Sequence, residues 1–517
     1  MAGGATGGTC GKAAAGESTL YLLPGGGVEH LLAPLDGALV PHVAWAESSV
    51  PFLIRDTFDQ ALRRSGRVLV ETEQGAELIG AGGVVEDGPL AGARFVAGFP
   101  EGPVREALSD VSALRCLLPV GAGTLRRGAL ALLDDEQKTQ VRASLLRLDP
   151  AEAGGAALLR LEGLRGYDRA LVRLRERVVE AGGEPFSAAA LLAQLFPQRV
   201  PYEPKPVIPL ERDTEAFDAA GDIIAAYLPV ARANEAGVIA DDDTEFLHDY
   251  RIALRKIRSV LSLFRHVYGP EQTTELKARF SALMAPTGRL RDLDVYLLER
   301  DGFLAMVPEG LQGGLERMFA LFAEERAAAQ AGLAAHLRSD AYRDEIAALM
   351  ALFGKRKLLA RGSRADRPAY DYACRLIWKR YRRICTIAAG IGPGTPEHEI
   401  HELRIHCKKL RYLMEFFAPL FPDKSFRRLL KPLKKLQDNL GLFNDYAVQQ
   451  KSLQAFVDGL DGRRAGSLQV AQSVGALILV LHERQLAERA RVEESFAAFD
   501  SAGTRQTFRD LFHGGKK

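Results

Sequence analysis

The sequence is poor in the features that mark specialised classes of protein. Its five cysteines, Cys10, Cys116, Cys374, Cys385 and Cys407, are odd in number and form no CxxC pair. That argues against a zinc knuckle and a disulfide scaffold, and predicts a reducing, cytoplasmic compartment. No apolar run reaches the roughly 18 to 20 residues that span a bilayer. The longest candidate, Val474 to Leu481, is under half that, so no membrane span is expected. The opening stretch MAGGATGGTCGKAAAGE lacks both a basic start and an apolar core, which predicts no secretory signal. Charge of either sign is in small excess, a formal net of +2, so any site for an anion must come from local arrangement rather than bulk charge. What is present is ordinary for a globular chain: 47% apolar and 26% charged residues, which excludes collagen-like and disordered classes. A length of 517 residues predicts two to four domains at roughly 150 residues each.

The charge is uneven along the chain. Residues 1–200 hold 20 Lys+Arg and 24 Asp+Glu, a net of −4, which leaves 48 and 42, a net of +6, for residues 201–517. The acidic part is rich in Gly and Ala, with short apolar runs at Arg67 to Val70, Gly128 to Leu133 and Ala157 to Leu161 that read as strands. Helical stretches at Thr57 to Arg64 and Asp168 to Ala181 make residues 1–200 an α+β domain, for which a barrel is one arrangement. Pro201, Pro204, Pro206 and Pro209 then form a linker, 201–210, that continues neither helix nor ladder. Beyond it the apolar spacing turns to a 3.6-residue period. Helices are predicted at Thr214 to Ala236, Thr244 to Tyr268, Glu271 to Leu298, Leu311 to Phe353, Tyr370 to Ala389, Pro396 to Leu420, Ser425 to Val457 and Gly466 to Phe499. This all-α domain is expected over 211–505, followed by a tail, 506–517.

An internal repeat organises the helical part. His248-Asp-Tyr-Arg251-Ile-Ala-Leu-Arg255-Lys256-Ile-Arg258 overlies His401-Glu-Leu-Arg404-Ile-His-Cys-Lys408-Lys409-Leu-Arg411 without a gap. Phe264 then meets Phe417, Leu283 meets Leu436 and Asp292 meets Asp445. Two pseudo-symmetric four-helix bundles are therefore expected, repeat 1 over about 211–353 and repeat 2 over about 366–505. On a helix, His248, Arg251, Arg255 and Arg258 fall within an arc of roughly 80°, while Leu254, Ile257, Leu261 and Phe264 supply the face that docks on the bundle. The second copy places His401, Arg404, Lys408 and Arg411 the same way. Arg375, Lys379, Arg382 and Arg383 form a further single-faced set around Trp378, as do Lys431, Lys434 and Lys435. The first repeat has Asp222 and Ser281 in place of Arg375 and Lys434, so the basic track is expected to be heavier in the second.

Basic residues at helical spacing ordinarily form a solvated face with surface ion pairs. These stripes contain no carboxylate of their own, and like charges on neighbouring turns destabilise a helix by a few tenths of a kcal/mol each. Duplication of so unfavourable a pattern points to an external anion. Metal is not expected: His401, His406 and Cys407 do not share one helical face. Asp292 and Asp294 lie among Arg289 and Arg291 and read as ion-pair partners rather than an acid/base couple. No nucleophile and base are brought together, so no catalysis and no cofactor are expected.

The segments HDYRIALRKIRSVLSLF with GRLRDLDVYL, and HELRIHCKKLRYLMEFFAPLF with LKPLKKLQDNLGLFNDYAV, closely resemble the two halves of the conserved histidine α-helical domain, CHAD. The resemblance covers about residues 210–505. It implies a helical domain that binds inorganic polyphosphate through basic residues lining a central groove, often on polyphosphate granules. The positions it implies are His248, Arg251, Arg255, Lys256, Arg258, Arg289 and Arg291 in the first half, with His401, Arg404, Lys408, Lys409, Arg411, Lys434 and Lys435 in the second.

In that family the helical domain often follows a CYTH domain, the triphosphate-tunnel barrel, and residues 1–200 resemble a degenerate version of it. The hallmark ExExK is replaced by STLYLLPG, Glu71 and Glu73 stand where a basic strand is expected, and Glu162 alone remains at a plausible metal position. One carboxylate rarely holds Mg²⁺, so this part is expected to be non-catalytic. Two other functions compete with polyphosphate binding: a CYTH-type triphosphatase or polyphosphatase, and binding of nucleic acid, whose phosphates the same helices would neutralise. Few stacking aromatics accompany the track, only Trp378, Tyr381 and Tyr412, which disfavours a single-strand reader.

Overall fold

The computed structural model describes residues 19–513 except 26, 36–38, 152, 153, 200, 393, 462, 464 and 465; Cys10 and the N-terminal stretch lie outside the described residues. The chain divides into two compact units, one ending at Glu203 and the other beginning at Pro204, within the proline-rich stretch.

The first unit is built on an antiparallel sheet. Its strands are β1 (Thr19–Pro24), β2 (Val40–Trp45), β3 (Val50–Thr57), β4 (Arg67–Glu71), β5 (Ala76–Gly80), β6 (Gly83–Asp87), β7 (Leu117–Leu133), β8 (Thr139–Pro150), β9 (Ala156–Gly163) and β10 (Glu184–Pro185). Their order is β10-β1-β9-β8-β7-β3-β4-β5-β6, with β2 added to β7. Five helices accompany them: α1 (Gly27–His30), α2 (Ala61–Arg64), α3 (Pro103–Ala107), α4 (Asp168–Glu180) and α5 (Ala188–Leu195). Alternating strand residues bury one face against α5 (Leu22, Phe52, Leu148, Leu158) and the other against α1 and α4 (Leu23, Leu132, Leu145, Leu159). The expected barrel does not close. One edge strand, β10, has two residues, and its Pro185 lacks the N–H needed to carry the ladder onward. Glu71 and Glu73 also do not both lie on the strand expected there. Glu71 ends β4 and pairs with Arg55, whereas Glu73 sits in the turn closed by Thr72 and Gly75.

The second unit is helical: α6 (Ala216–Ala240), α7 (Thr244–Leu263), α8 (Pro270–Met284), α9 (Gly288–Leu298), α10 (Arg300–Leu304), α11 (Glu309–Arg338), α12 (Asp340–Gly354), α13 (Ala369–Ala388), α14 (Glu397–Phe417), α15 (Asp423–Asp458), α16 (Ser467–Ala490), α17 (Val492–Phe499) and α18 (Ala502–Phe512). Three expected helices are broken. Pro286 cannot donate a backbone hydrogen bond and lies in the 3₁₀ turn Ala285–Thr287 between α8 and α9. The Ser339 hydroxyl ends α11 by donating to the His336 carbonyl and starts α12 by accepting from the Tyr342 N–H. The third break is at Arg491, between α16 and α17. The repeats therefore differ in construction, since α15 runs unbroken where the first repeat has α8 and α9. The expected tail contains most of α18, whose Phe508 stacks on Tyr381 at 3.9 Å and whose Phe512 packs on Phe421 and Phe426.

By length and composition α6 is the one helix among the described residues that could cross a bilayer, although the sequence has no apolar run that suggests one. In this unit it packs on α7, α11 and α12 and buries Asn234 and Glu235 along with its apolar residues.

Candidate anion-binding groove

The stripe on α7 is placed by its opposite face. Leu254, Ile257, Leu261 and Phe264 are all buried, which turns Arg251, Arg255 and Arg258 toward the surface. Asp243 fixes the start of the helix, its carboxylate accepting from the N–H groups of Glu245 and Phe246. The same logic holds for α14, where Leu403, Cys407, Leu410 and Met414 are buried.

Between α7, α14 and α15 lies a groove of about 680 Å³, lined by Lys205, His248, Arg255, Lys256, Arg411, Lys431 and Lys434 with Asp249, Ile252, Tyr412, Glu415 and Leu430. Both repeats thus contribute cations to one groove, which Asp249 and Glu415 also line. Two of its cations are already committed: Lys256 donates to the Tyr227 hydroxyl at 2.8 Å and lies 3.6 Å from Glu415, and Arg411 lies 3.4 Å from the same carboxylate. Lys256 is only 9% exposed, so its role is largely to tie α7 to α6 and α14. By contrast Lys431 and Lys434 are exposed and have no ion pair among the described residues. The Arg255 Nε is buried without a hydrogen-bond partner, at a cost of order 1–3 kcal/mol for an unsatisfied polar group.

The positive field continues from the groove along both helices. Burial first, and then Arg255, Arg404 and Arg411, push the Lys408 amine down from its ordinary 10.5 to about 8. On the other side Arg251 is held below the ordinary arginine value by burial and by Arg255 and Arg291. Arg251 donates to the buried Thr287 hydroxyl, and Arg291 keeps a buried Nη1 without a partner. Arg291, Arg251, Arg255, Lys408, Arg404 and Arg411 are therefore electrostatic neighbours in one track.

Other expected residues fall outside it or are spent elsewhere. Arg289 forms a two-pronged ion pair with Glu325, not with Asp292 or Asp294, because Asp294 is buried against Arg326 at 2.9 Å. Arg258 donates to the Met284 sulfur at 3.4 Å. His401 donates from Nδ1 to Asn444 at 2.8 Å, and Arg404 has Asp445 at 3.7 Å. Lys435 is exposed but does not line the groove. Arg375, Lys379, Arg382 and Arg383 lie on the exposed side of α13; Arg375 borders a different cavity, with His513, and Arg383 pairs with Glu402 at 2.8 Å. Lys409 faces Arg380 and Arg265. In the sheet unit, Glu162 is exposed on β9 opposite Arg142.

Sequence reading misses Lys205, Asp249, Glu415 and Leu430 of the groove lining. Lys205 stands between Pro204 and Pro206 in an extended segment, where no helical period could flag it. Glu415 is the i+4 neighbour of Arg411, a signal that is present in the sequence.

The family model of the CHAD domain matches residues 222–454, and the helical unit accordingly carries a CHAD domain. Two uncharacterized proteins of Mycobacterium tuberculosis, from strains CDC 1551 / Oshkosh and ATCC 25618 / H37Rv, are each 27% identical over 254 residues, 47% of this chain and 46% of theirs. The chain spans about half the length of the curated relatives it matches. Among solved structures, the CHAD domain from the plant Ricinus communis is 26% identical, with a TM-score of 0.48 over 57% of this chain and 96% of that one. PptA from Streptomyces chartreusis is 16% identical, with a TM-score of 0.38 over 56% and 99%.

Proposed function

We propose that the helical unit binds inorganic polyphosphate in the groove between α7, α14 and α15, and that it does so without catalysis, in the cytoplasm and in association with polyphosphate granules. The observation that carries the reading is the juxtaposition of the unpartnered Arg255 Nε with Lys431 and Lys434 in one groove, beside a lysine held down to about 8 by burial and then by its cationic neighbours. Such an array is complete only with a multivalent anion, whose oxygens accept charge-assisted hydrogen bonds from guanidinium and ammonium groups. The duplicated CHAD motifs support a polyphosphate rather than a nucleic acid, and so does the lining, in which Tyr412 is the single aromatic. Duplication of a four-helix unit, and descent of the sheet unit from a CYTH barrel that no longer hydrolyses triphosphate, belong to the same reading.

The test is a calorimetric titration with long-chain polyphosphate of the full chain and of Arg255→Gln/Lys431→Gln/Lys434→Gln. We expect wild type to bind and the variant to lose about 1–3 kcal/mol per charged hydrogen bond removed. Equal affinity would put the site elsewhere. Metal-dependent phosphate release would favour the triphosphatase, and preferential competition by RNA the nucleic-acid reading.

A further inference from the structure

The basic residues left over from the groove form a second cluster on the other side of α14. At about 100° per residue, His406 lies roughly 140–160° and Lys409 roughly 80–160° around α14 from the residues of the groove stripe. There, Arg380 of α13 donates Nη1–H to His406 Nδ1 at 2.9 Å, an arrangement that uses the ring lone pair and so requires a neutral imidazole. Arg265, just beyond α7, is held against α13 by its carbonyl, which accepts the Tyr372 hydroxyl at 2.9 Å. Arg380 is held below its ordinary range by burial and by Arg265, and Lys409 by burial, by Arg380 and then by Arg265.

The nearby carboxylate is already engaged. Glu402 pairs with Arg383 at 2.8 Å and lies 3.7 Å from His406 Nε2. Among the described residues no carboxylate pairs with Arg265, Arg380 or Lys409. A solvated basic face would let these side chains swing apart, but Arg380 and Lys409 are half-buried where α13 packs on α14. Arg380 and Lys409 are thus kept together without a counter-ion beside His406, and the exposed Arg265 adds its charge from the turn after α7.

We propose that Arg265, Arg380, Lys409 and His406 form a second anion subsite, on the face of α14 turned away from the groove, which takes a phosphate group. The group can come from free inorganic phosphate or from a segment of polyphosphate; the chemistry is the same, and the subsite does not depend on what occupies the groove. Bound phosphate reverses the local field set by Arg380, Arg383, Lys409, Arg265 and Glu402. As Arg380 turns its N–H to the phosphate it releases Nδ1 of His406, and this ring, held down to about 4 by burial, Arg380 and Lys409, then takes up a proton at Nδ1 more readily.

The experiment follows the His406 imidazole resonance by NMR in the full chain, assigned with His406→Gln, during titration with inorganic phosphate and separately with long-chain polyphosphate. We expect phosphate to shift that resonance and to raise its titration midpoint. Arg265→Gln/Lys409→Gln is expected to weaken the phosphate response about tenfold or more, since two charge-assisted hydrogen bonds to the anion go with it, whereas Arg255→Gln/Lys431→Gln/Lys434→Gln leaves it unchanged. If polyphosphate moves His406 at a lower phosphate-equivalent concentration than free phosphate does, the chain is the natural source; the reverse order names free phosphate. No shift in wild type, or a shift abolished by the groove variant and retained in Arg265→Gln/Lys409→Gln, overturns the subsite. Because the wild-type response is itself decisive, a variant that fails to fold does not rescue the proposal.

Discussion

At the scale of single residues, Lys408 shows what a cluster of cations costs its own fold. Its amine is pushed to about 8, first by burial and then by Arg255, Arg404 and Arg411. Between about 8 and the ordinary lysine value the unfolded chain therefore holds more protons than the folded one, so stability rises with pH across that window and is level below it. Replacing the charge is expected to relieve the penalty. Lys408→Met should raise the thermal midpoint at pH 7, and the gain should shrink as pH climbs from 8 toward 10. Midpoints of both proteins at pH 7 and 9.5 check this, and a pH-independent difference would assign the effect to packing alone. A bound polyanion restores the lysine's charge, so polyphosphate affinity should fall as pH rises through 8 in wild type and less steeply in the variant. From sequence, His248 and His401 are the obvious pH probes, each one turn from an arginine. Lys408 carries no such signal in the sequence, because its burial among arginines from both repeats depends on how α7 meets α14.

Among the elements, α7 separates stability from binding. Asp243 caps its first turn and lines no part of the groove. Asp243→Ala is expected to cost about 1 kcal/mol while leaving polyphosphate affinity within a factor of two, as read by chemical denaturation and calorimetry on the same samples. A loss of affinity in step with stability would mean that the stripe needs a fully formed first turn. The apolar face of this helix is legible in the sequence because Leu254, Ile257, Leu261 and Phe264 keep helical spacing, and the basic stripes follow from the same period. The helix breaks are less legible. Pro286 carries a signal that the continuous apolar period obscures, and Ser339 acts only because its hydroxyl finds His336 and Tyr342. Most of α18 reads as tail because Thr504, Phe508 and Phe512 become an apolar face only against Tyr381, Phe421 and Phe426. In the sheet unit, strand pairing is non-local, and the stop at β10 depends on a two-residue strand that no window of sequence could single out.

For the whole molecule, the proposed binding of a polyanion gains little from a net charge of only +2. The sheet unit's acidic residues offset much of the helical unit's excess, so long-range attraction is weak and affinity has to come from contacts within a Debye length, about 8 Å at physiological salt. This gives salt a diagnostic role. If the groove neutralises phosphates, log affinity should fall linearly with log salt, at about 0.7 per phosphate for a single-stranded polyanion. With Arg255, Lys431 and Lys434 uncommitted and Lys205, Arg411 and Lys408 beside them, a slope of several units is expected for long-chain polyphosphate. Arg255→Gln/Lys431→Gln/Lys434→Gln should flatten that slope by about two units, whereas Arg289→Gln, which breaks an ion pair with Glu325 outside the groove, should leave it unchanged. Titrations at four salt concentrations for the three proteins supply the slopes. A flat wild-type line would remove the electrostatic account of the groove, and equal slopes for all three would place the phosphate contacts on other residues of the track, with Arg251, Arg291 and Arg404 the next to replace.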